Sequence, residues 1–202
     1  MPRKKKVVYF FGGGKAEGKG TMRELWGGMG AGLHEMTRIG APVPPGFTIT
    51  TDVCAYYYGH HGRYPRGLDS DVIMGLARVE RILGRQFGNP DNPLLVSVRS
   101  GARESMPGMM DTVLNLGLND QTVQGLIRRT GNPRFAYDSY RRFIQMYADV
   151  VLRLKPQDKV ERDPFQVIIE QKKQDRGVRF DTELDANDLE SVATAFKDLV
   201  KM

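Results

Sequence analysis

Cysteine is nearly missing from this chain of 202 residues, which contains Cys54 and no other. A lone cysteine cannot form a disulfide within the chain, and it has no partner cysteines with which to hold a zinc ion. Disulfide-rich secreted proteins and multi-cysteine zinc proteins are therefore excluded. Because such sparse cysteine usage is typical of intracellular proteins, the sequence predicts a cytoplasmic location.

The amino terminus also lacks a long apolar run. In "MPRKKKVVYFF" the apolar segment covers only the five residues from Val7 to Phe11. A membrane-spanning helix needs about 20 apolar residues and a signal-peptide core at least about seven. We therefore predict a first β-strand at this position, with the preceding lysines in solvent, and no membrane partner.

The charge balance allows an anionic partner without requiring one. A net charge of +6 and a pI near 9.5 suit such a partner, but 27% charged residues of both signs also make an ordinary protein surface. The arginine- and aromatic-rich segment "PRFAYDSYRRFIQMYADVV" could stack on bases. Its apolar residues repeat at helical spacing, which favours a buried helix face. We expect no nucleic-acid partner.

Histidine is scarce as well, and the three histidines form no catalytic or metal-binding pattern. His34 follows a glycine-rich stretch, whereas His60 and His61 are adjacent, so no pair has the i, i+4 spacing of metal ligands on a helix. No G-x-S-x-G segment marks a nucleophile. We predict no metal ligands, and we expect each histidine to be either hydrogen-bonded or exposed.

The chain divides into two parts by its pattern of apolar residues. The first ~115 residues alternate strand-like and helix-like segments joined by glycine and proline, which is typical of an α/β unit. From Asp120 onward the apolar residues repeat at helical spacing only. We predict an α+β (α/β) fold, with a mixed α/β lobe over residues 1–119 and a helical subdomain over residues 120–202.

Local signals predict individual elements. Strands are expected at residues 7–11, 47–50, 93–100 and 111–118. One helix is expected from Gly30 to Ile39, burying Leu33, Met36 and Ile39, and another over residues 69–87, burying a stripe that ends with Leu83 and Phe87. Helix starts are predicted at these caps: Thr51 or Asp52, Asp120, Asp163 before Pro164, and Asp185.

The segment "GGKAEGKG", from Gly13 to Gly20, nearly matches the phosphate-binding P-loop pattern G-x-x-x-x-G-K-[ST]. It fails at the last position, where Gly20 replaces the hydroxyl that would hold magnesium. Thr21 comes one residue too late. We interpret this segment as a surface turn.

A second glycine-rich stretch, "WGGMGAGLHEM", runs from Trp26 to Met36 and leads directly into a predicted helix. It does not match the dinucleotide fingerprint G-x-G-x-x-G, since Leu33 stands where the third glycine would be. Glycines just ahead of a helix nevertheless expose backbone amides and a positive dipole end to an anion. Phosphate binding and an ordinary loop are both compatible with this pattern.

The segment "SVRSGARESMPGMMDT" connects two predicted strands. Arg99 lies at the end of the first strand, where a planar guanidinium can hold phosphate oxygens in a two-pronged geometry. Ser100, Gly101 and Ala102 keep the backbone behind it free of bulky side chains. The alternative is that Arg99 and Arg103 pair with surface carboxylates nearby.

In three segments the chain closely resembles the amino-terminal part of pyruvate, phosphate dikinase: "FFGGGKAEGKGTMRELWGGMGAGLHEMTRIGAPVPPGFTITT", "PLLVSVRSGARESMPGMMDTVLNLGLND" and "GNPRFAYDSYRRFIQMYADVV". The resemblance runs in order from Val7 to about Lys201. Phosphoenolpyruvate synthase, a cousin with a related strand-and-arginine segment, is the alternative family.

This resemblance implies a partial ATP-grasp domain, a fold in which two lobes close on ATP and magnesium. The family converts ATP, inorganic phosphate and pyruvate into AMP, pyrophosphate and phosphoenolpyruvate, using a histidine on a swivelling domain and a barrel that handles pyruvate. ATP and Mg²⁺ are thus the implied cofactors, with the magnesium ligands on a second lobe. The implied partners are the remaining domains of a homo-oligomeric parent enzyme.

The resemblance also implies site residues. The family's catalytic, phosphate-binding arginine falls on Arg99, and the lysine of its "GGKG" loop falls on Met29. A thioether supplies neither a charge nor a strong donor. The segment around His34 lacks the "TSHA" core of the phosphorylated histidine, so His34 is not expected to carry a phosphoryl group. The predicted ATP-binding residues are Gly27, Gly28, Met29, Gly30, Arg99, Ser100 and Gly101.

Two functions of different class remain open from the sequence. The chain is either an ATP-binding fragment of a pyruvate, phosphate dikinase or a free-standing, non-catalytic nucleotide-binding or protein-interaction module. The position of the carboxyl terminus, where the second lobe should begin, favours the fragment, and Met29 favours the module. Under both hypotheses we expect the isolated chain to be inactive as a dikinase.

Overall fold

The structure is a computed structural model that describes residues 5–101, 111–154 and 162–201. These residues form two compact units: residues 5–85 with 100 and 101, and residues 86–99 with 111–154 and 162–201. Each unit combines helices with a small antiparallel sheet, so the fold is a mixed α+β fold. The boundary at residue 119 and the ATP-grasp assignment stay predictions.

The first unit contains a three-stranded antiparallel sheet with the strand order β2, β1, β3. Its strands are β1 Val8–Gly12, β2 Lys15–Ala16 and β3 Gly46–Ile49. β1 lies in the centre, where Val8 pairs with Ile49 and Phe11 pairs with Gly46. The side chains of Val8, Phe10 and Phe11 are buried, so the predicted first strand is confirmed.

Three helices complete the first unit: α1 Arg23–Arg38, α2 Thr51–Gly59 and α3 Leu68–Leu83. Val8, Val53 and Leu68 form a small buried cluster that joins β1 to α2 and α3. The thiol of Cys54, the next residue of α2, is free and exposed. Burial in this unit is therefore concentrated around the central strand.

The second unit contains a two-stranded antiparallel sheet, in which Arg99 pairs with Thr112. Its strands are β4 Val96–Arg99 and β5 Thr112–Leu116, and its helices are α4 Thr122–Thr130, α5 Pro133–Tyr147, α6 Pro164–Arg176 and α7 Ala186–Lys201. Helix α5 continues into a π-helical turn, Ala148–Leu152.

The core of the second unit lies between α5, α6 and α7. The rings of Phe165 and Phe196 meet edge to face at 4.8 Å between centroids, and both are completely buried together with Leu189. Among the described residues, no helix is long and apolar enough to cross a membrane.

Side-chain caps confirm two of the predicted helix starts. The Asp163 carboxylate accepts a hydrogen bond from the Phe165 amide at 2.9 Å, directly before Pro164 of α6. At the start of α7, the Asp185 carboxylate accepts from the Asp188 amide at 2.9 Å. In both cases a short acidic side chain satisfies an amide that the helix itself cannot pair.

Two other predicted caps are wrong. Helix α2 begins after Thr50, whose side chain makes no capping hydrogen bond, so Thr51 and Asp52 lie inside the helix. Helix α4 begins after Gln121 rather than after Asp120. Several adjacent residues with polar side chains offered equivalent caps, and the hydrophobic pattern could not choose among them.

The helix faces also differ from the prediction. In α1, Met36 is 43% and Ile39 73% exposed, and Leu33 is only half-buried. The buried residues of α1 are Trp26, Gly27, Gly30, Ala31, His34 and Thr37. Helix α3 ends at Leu83 because Gly84 adopts the left-handed conformation, which leaves Phe87 outside the helix.

Candidate functional site

The glycine-rich stretch contains a bend at Gly27. Helix α1 consists of two helical segments that meet there, since Gly27 has φ 70° and ψ 166°. Residues with a side chain are essentially excluded from this conformation. The helix was predicted to begin at Gly30, and the structure instead places a short helical segment before the bend and starts the longer one directly after it.

The second helical segment presents the amide groups of its first residues toward the bend. A helix cannot supply acceptors for its own first amides, and the second segment starts directly after Gly27. These amides and the helix dipole favour an anion at this end. Gly28 is exposed, and a Cβ atom added there would meet no atom within 4 Å. In the described part of the chain, the bend is therefore open on the side of Gly28, whereas Gly27 and Gly30 are buried.

Met29 contributes no charge to this site. Its side chain is half-buried, and a thioether is at most a weak acceptor. An anion at the bend would consequently be held by backbone amides and the helix dipole, without a cation from this position.

Gly101 approaches the bend from another segment of the first unit. A Cβ atom added at Gly101 would lie 3.7 Å from the Trp26 carbonyl oxygen and 3.9 Å from the Gly27 Cα. Ser100 and Gly101 are both exposed. The structure thus brings Gly101 together with the predicted glycine loop, whereas the methionine-rich segment 102–110 lies outside the described residues.

Arg99 is the last residue of β4 and belongs to the second unit. Its side chain is exposed, and its Nε donates a hydrogen bond to the Ser97 hydroxyl at 3.3 Å. The guanidinium can therefore reach a ligand from solvent. Arg103, which the alternative ion-pair interpretation invoked with Arg99, lies outside the described residues.

The indole of Trp26 anchors the residue before the bend. Trp26 is 2% exposed, and its ring lies 4.5 Å from the ring of His34 and 5.1 Å from that of Tyr9. Gly18 packs against the indole so closely that a Cβ atom there would overlap the ring, at 1.5 Å from its nearest atom. Gly18 of the segment "GGKAEGKG" thus packs against the residue that precedes the bend.

His34 is completely buried on the inner face of α1. Its ring stacks on Trp26 and meets Phe11 edge to face at 5.1 Å. Neither ring nitrogen has a hydrogen-bond partner in the part of the chain that the structure describes, and the same is true of Trp26 Nε1. Burial lowers the pKa of His34 below its ordinary value.

The prediction for the histidines is therefore wrong for His34, which is neither hydrogen-bonded nor exposed. It holds for His60 and His61, which are exposed; the ring of His60 stacks on Tyr56 at 3.7 Å. A histidine among apolar neighbours at helical spacing gives no signal in the sequence that distinguishes a buried, unpaired ring from an exposed one.

The segment "GGKAEGKG" forms the β1–β2 hairpin and the turn that follows it, so its interpretation as a surface turn is confirmed. No sequence pattern indicated the role of Glu17 at its centre. The Glu17 carboxylate accepts hydrogen bonds from the Phe10 amide at 2.7 Å and from Lys6 and Arg78 at 3.0 Å. Burial alone would raise the pKa of Glu17, but these three donors outweigh it and lower the pKa.

The described residues contain no group of three or more histidine, cysteine, aspartate or glutamate side chains that could hold a metal ion. A magnesium site was not predicted on this chain, because the resemblance assigns the magnesium ligands to a second lobe. The donors that the bend offers are amide groups, which suit an anion rather than a cation.

No protein-family model matches the chain. It is 51% identical to the pyruvate, phosphate dikinase of Clostridium symbiosum over 196 residues, which are 97% of this chain and 21% of that protein. The identity is 50% over 196 residues to the pyruvate, phosphate dikinase of Rhizobium meliloti (strain 1021), with 97% and 21% covered. To pyruvate, phosphate dikinase 1, chloroplastic, of Zea mays it is 48% over 195 residues, with 96% and 20% covered. The chain spans about a fifth of the length of these curated relatives, and the predicted resemblance is confirmed.

Proposed function

The chain is homologous to a region of pyruvate, phosphate dikinase, and on that premise we propose that it forms the nucleotide-binding part of such an enzyme. In this role it is one lobe of an ATP-grasp domain. It binds the phosphates of ATP and assists phosphoryl transfer to a histidine on another domain. A cytoplasmic location is part of the same proposal.

The bend at Gly27 is the observation that carries this proposal. It starts a helical segment next to the backbone of Gly101. An anion can approach this start from the side of the exposed Gly28, whereas the buried Gly30 packs against the side chains of Thr48 and Trp26. The start of this segment fits a phosphate group, which is the part of ATP that it would hold.

Arg99 has the second role in the proposal. Its exposed guanidinium would bind phosphate oxygens and stabilise the negative charge that develops on a transferring phosphoryl group. ATP supplies the phosphoryl group when bound, and the chain's own residues bind and orient it. Magnesium ligands belong, in this proposal, to the second lobe.

Calorimetric titration of the purified chain with ATP tests the proposal. We expect Arg99→Ala to weaken ATP binding about tenfold, since a hydrogen bond to a charged group contributes roughly 1.5–3 kcal/mol. Met29→Lys should strengthen binding by a similar factor because it adds a cation at the loop. Arg129→Ala, which removes an exposed arginine of α4, and Met29→Leu are the matched controls.

Two outcomes of this titration would contradict the proposal. A chain that binds no ATP at neutral pH is not a nucleotide-binding lobe. Unchanged affinity in both Arg99→Ala and Met29→Lys would remove these two residues from the site.

A non-catalytic nucleotide-binding or protein-interaction module is the second candidate function, and Met29 is the observation that favours it. Without a cation in the loop, the chain would bind a nucleotide but contribute little to the transfer of its phosphoryl group. Joining the chain to the remaining domains of a related dikinase separates the two functions. Turnover by the hybrid enzyme supports the enzyme fragment, and turnover that appears only with Met29→Lys supports the module.

A further inference from the structure

The stacked rings of Trp26 and His34 lie on either side of the glycine bend in the chain. Trp26 directly precedes Gly27, and His34 lies one helical turn beyond Gly30 on the same buried face of α1. Their ring centroids are 4.5 Å apart with an interplanar angle of 27°. The two ends of the bend are thus tied together by one pair of rings, called here the Trp26–His34 pair.

The pair is enclosed by apolar and backbone atoms. Phe11 contacts His34, Tyr9 contacts Trp26, and Gly18 covers the indole. Within the described residues, three polar atoms of the pair have no hydrogen-bond partner: Trp26 Nε1, His34 Nδ1 and His34 Nε2. A buried polar group without a partner is costly, and a buried charge without a partner is far more so. The enclosure therefore accepts a neutral imidazole and excludes an imidazolium.

Among the described residues, burial of His34 outweighs the charge of Glu17, which favours an imidazolium at His34 and raises its pKa. Helix α1 packs against β1, β2, β3 and α2. In the sheet, the titratable residues are Tyr9 of β1 and Lys15 of β2, and Glu17 follows β2; β3 has none. Helix α2 carries Asp52, Cys54 and three tyrosines. Helix α1 itself carries Arg23, Glu24, Glu35 and Arg38. Three carboxylates already have basic partners: Glu17 with Lys6 and Arg78, Glu35 with Arg38, and Asp52 with Lys5.

We propose that Trp26 and His34 are positioning residues for the glycine bend, and that protonation of His34 releases the bend and switches off anion binding there. The neutral His34 ring holds the Trp26 indole in its buried position. The buried indole in turn fixes the position of Gly27 and of the amides that follow it. An imidazolium must leave the enclosure to reach water, which unstacks the pair. The ligand part of this inference rests on the proposed phosphate-binding function, whereas the release of the bend does not.

Tryptophan fluorescence gives a direct readout, because Trp26 is the one tryptophan of the chain. We expect the emission of the full 202-residue chain to change with falling pH, with a midpoint below the ordinary histidine pKa of about 6.5. His34→Leu should abolish this transition, and His60→Leu, which changes an exposed ring, should retain it. A transition that persists in His34→Leu, or no transition in the unmodified chain, overturns the proposal.

The ligand part is tested by titrating the same chains with ATP at pH 7.5 and pH 5.5. The phosphates of ATP also titrate in this range, so His34→Leu provides the baseline. We expect the unmodified chain to lose more affinity than His34→Leu, by a factor below about ten, since a group whose pKa lies below about 6.5 is only partly protonated at pH 5.5. Equal losses in both chains overturn the switch.

The two experiments also distinguish failure of the inference from failure of the proposed function. If the chain binds no ATP even at pH 7.5 while the fluorescence transition depends on His34, the proposed function and the ligand part fail together, and the coupling between His34 and the bend stands. Should His34→Leu lose its helical circular dichroism, His34→Phe, which keeps an aromatic ring in the stack, replaces it in both experiments.

Discussion

At the residue scale, the backbone conformation of Gly27 determines the shape of the proposed phosphate-binding loop. Its φ of 70° and ψ of 166° allow one helical segment to end and the next to begin within a single residue. Glycine is the residue that reaches this conformation without strain. The bend therefore depends on the missing side chain at Gly27 more than on any contact that Gly27 makes.

We expect Gly27→Ala to lower the free energy of unfolding by about 1–3 kcal/mol, the usual strain of such a conformation. Gly28→Ala is the matched control, because Gly28 is exposed with open space around it. In a helical position alanine should raise the stability by roughly 0.5–1 kcal/mol. Urea denaturation measures both variants, and equal effects of the two substitutions would contradict the role of the bend.

His34 gives a second residue-scale prediction, in the pH dependence of stability. Its pKa is lowered in the folded chain, so the unfolded chain binds more protons between the folded-state pKa and the unfolded value of about 6.5. The contribution of His34 to stability is complete above that value and is lost as the pH falls toward the folded-state pKa. The loss is at most about 1.4 kcal/mol per pH unit.

Urea denaturation of the unmodified chain and of His34→Leu, at several values between pH 7.5 and pH 5, checks this prediction. As the pH falls, the free energy of unfolding of the unmodified chain should decrease relative to that of His34→Leu. A difference that does not change with pH would show that His34 keeps the same proton affinity in both states.

At the element scale, α6 begins with a cap that the sequence predicts and the structure confirms. Asp163 accepts the Phe165 amide at 2.9 Å, and Pro164 follows as the first helical residue. We expect Asp163→Ala to lower the free energy of unfolding by about 1 kcal/mol, because the amide loses its acceptor. Asp163→Asn retains a capping oxygen and should cost much less. Thermal denaturation of the two variants measures the difference.

Elements whose signals are local were predictable from the sequence. The strand at Val8–Gly12 and the starts of α6 and α7 follow from apolar runs and capping side chains that lie within a few residues. The buried face of α1 was not predictable in this way. Its members include glycines, His34 and Thr37, which do not register as apolar, whereas the apolar Met36 and Ile39 are exposed. Only tertiary packing decides which face is buried.

The candidate site was predictable in part. The glycine-rich composition indicated a backbone that a ligand can approach, and the structure places Gly101 beside Gly27. The positive φ at Gly27 and the unpaired ring of His34 could not be read from the sequence, because both depend on what packs beneath the loop. The role of Arg99 stays a prediction.

At the scale of the whole molecule, the strand and helix alternation indicated a mixed fold but not its sheets. Both sheets of the described residues are antiparallel, whereas alternation of strands and helices is most typical of parallel strands. Strand pairing depends on residues far apart in the chain, such as Phe11 and Gly46. A pattern within short windows does not contain that information.

The chain matches about a fifth of the length of the related dikinases, and a prediction for the whole molecule follows from this coverage. We expect the purified 202-residue chain to form no phosphoenolpyruvate from pyruvate, ATP and phosphate, since our proposal assigns the magnesium ligands and the histidine carrier to other domains of the parent enzyme. A coupled assay for pyruvate consumption measures this. Any turnover above that of a heat-denatured sample would contradict the proposal that other domains are needed for the reaction.

The exposed thiol of Cys54 on α2 has a practical consequence. It is the one cysteine of the chain, just as Trp26 is the one tryptophan, and both lie in the first unit. A dye attached to Cys54 can therefore accept excitation energy from Trp26 without any substitution in the protein. The efficiency of energy transfer would depend on the distance between α1 and α2 in solution. It would therefore measure a movement of the glycine bend as a change of distance, which emission from Trp26 alone does not.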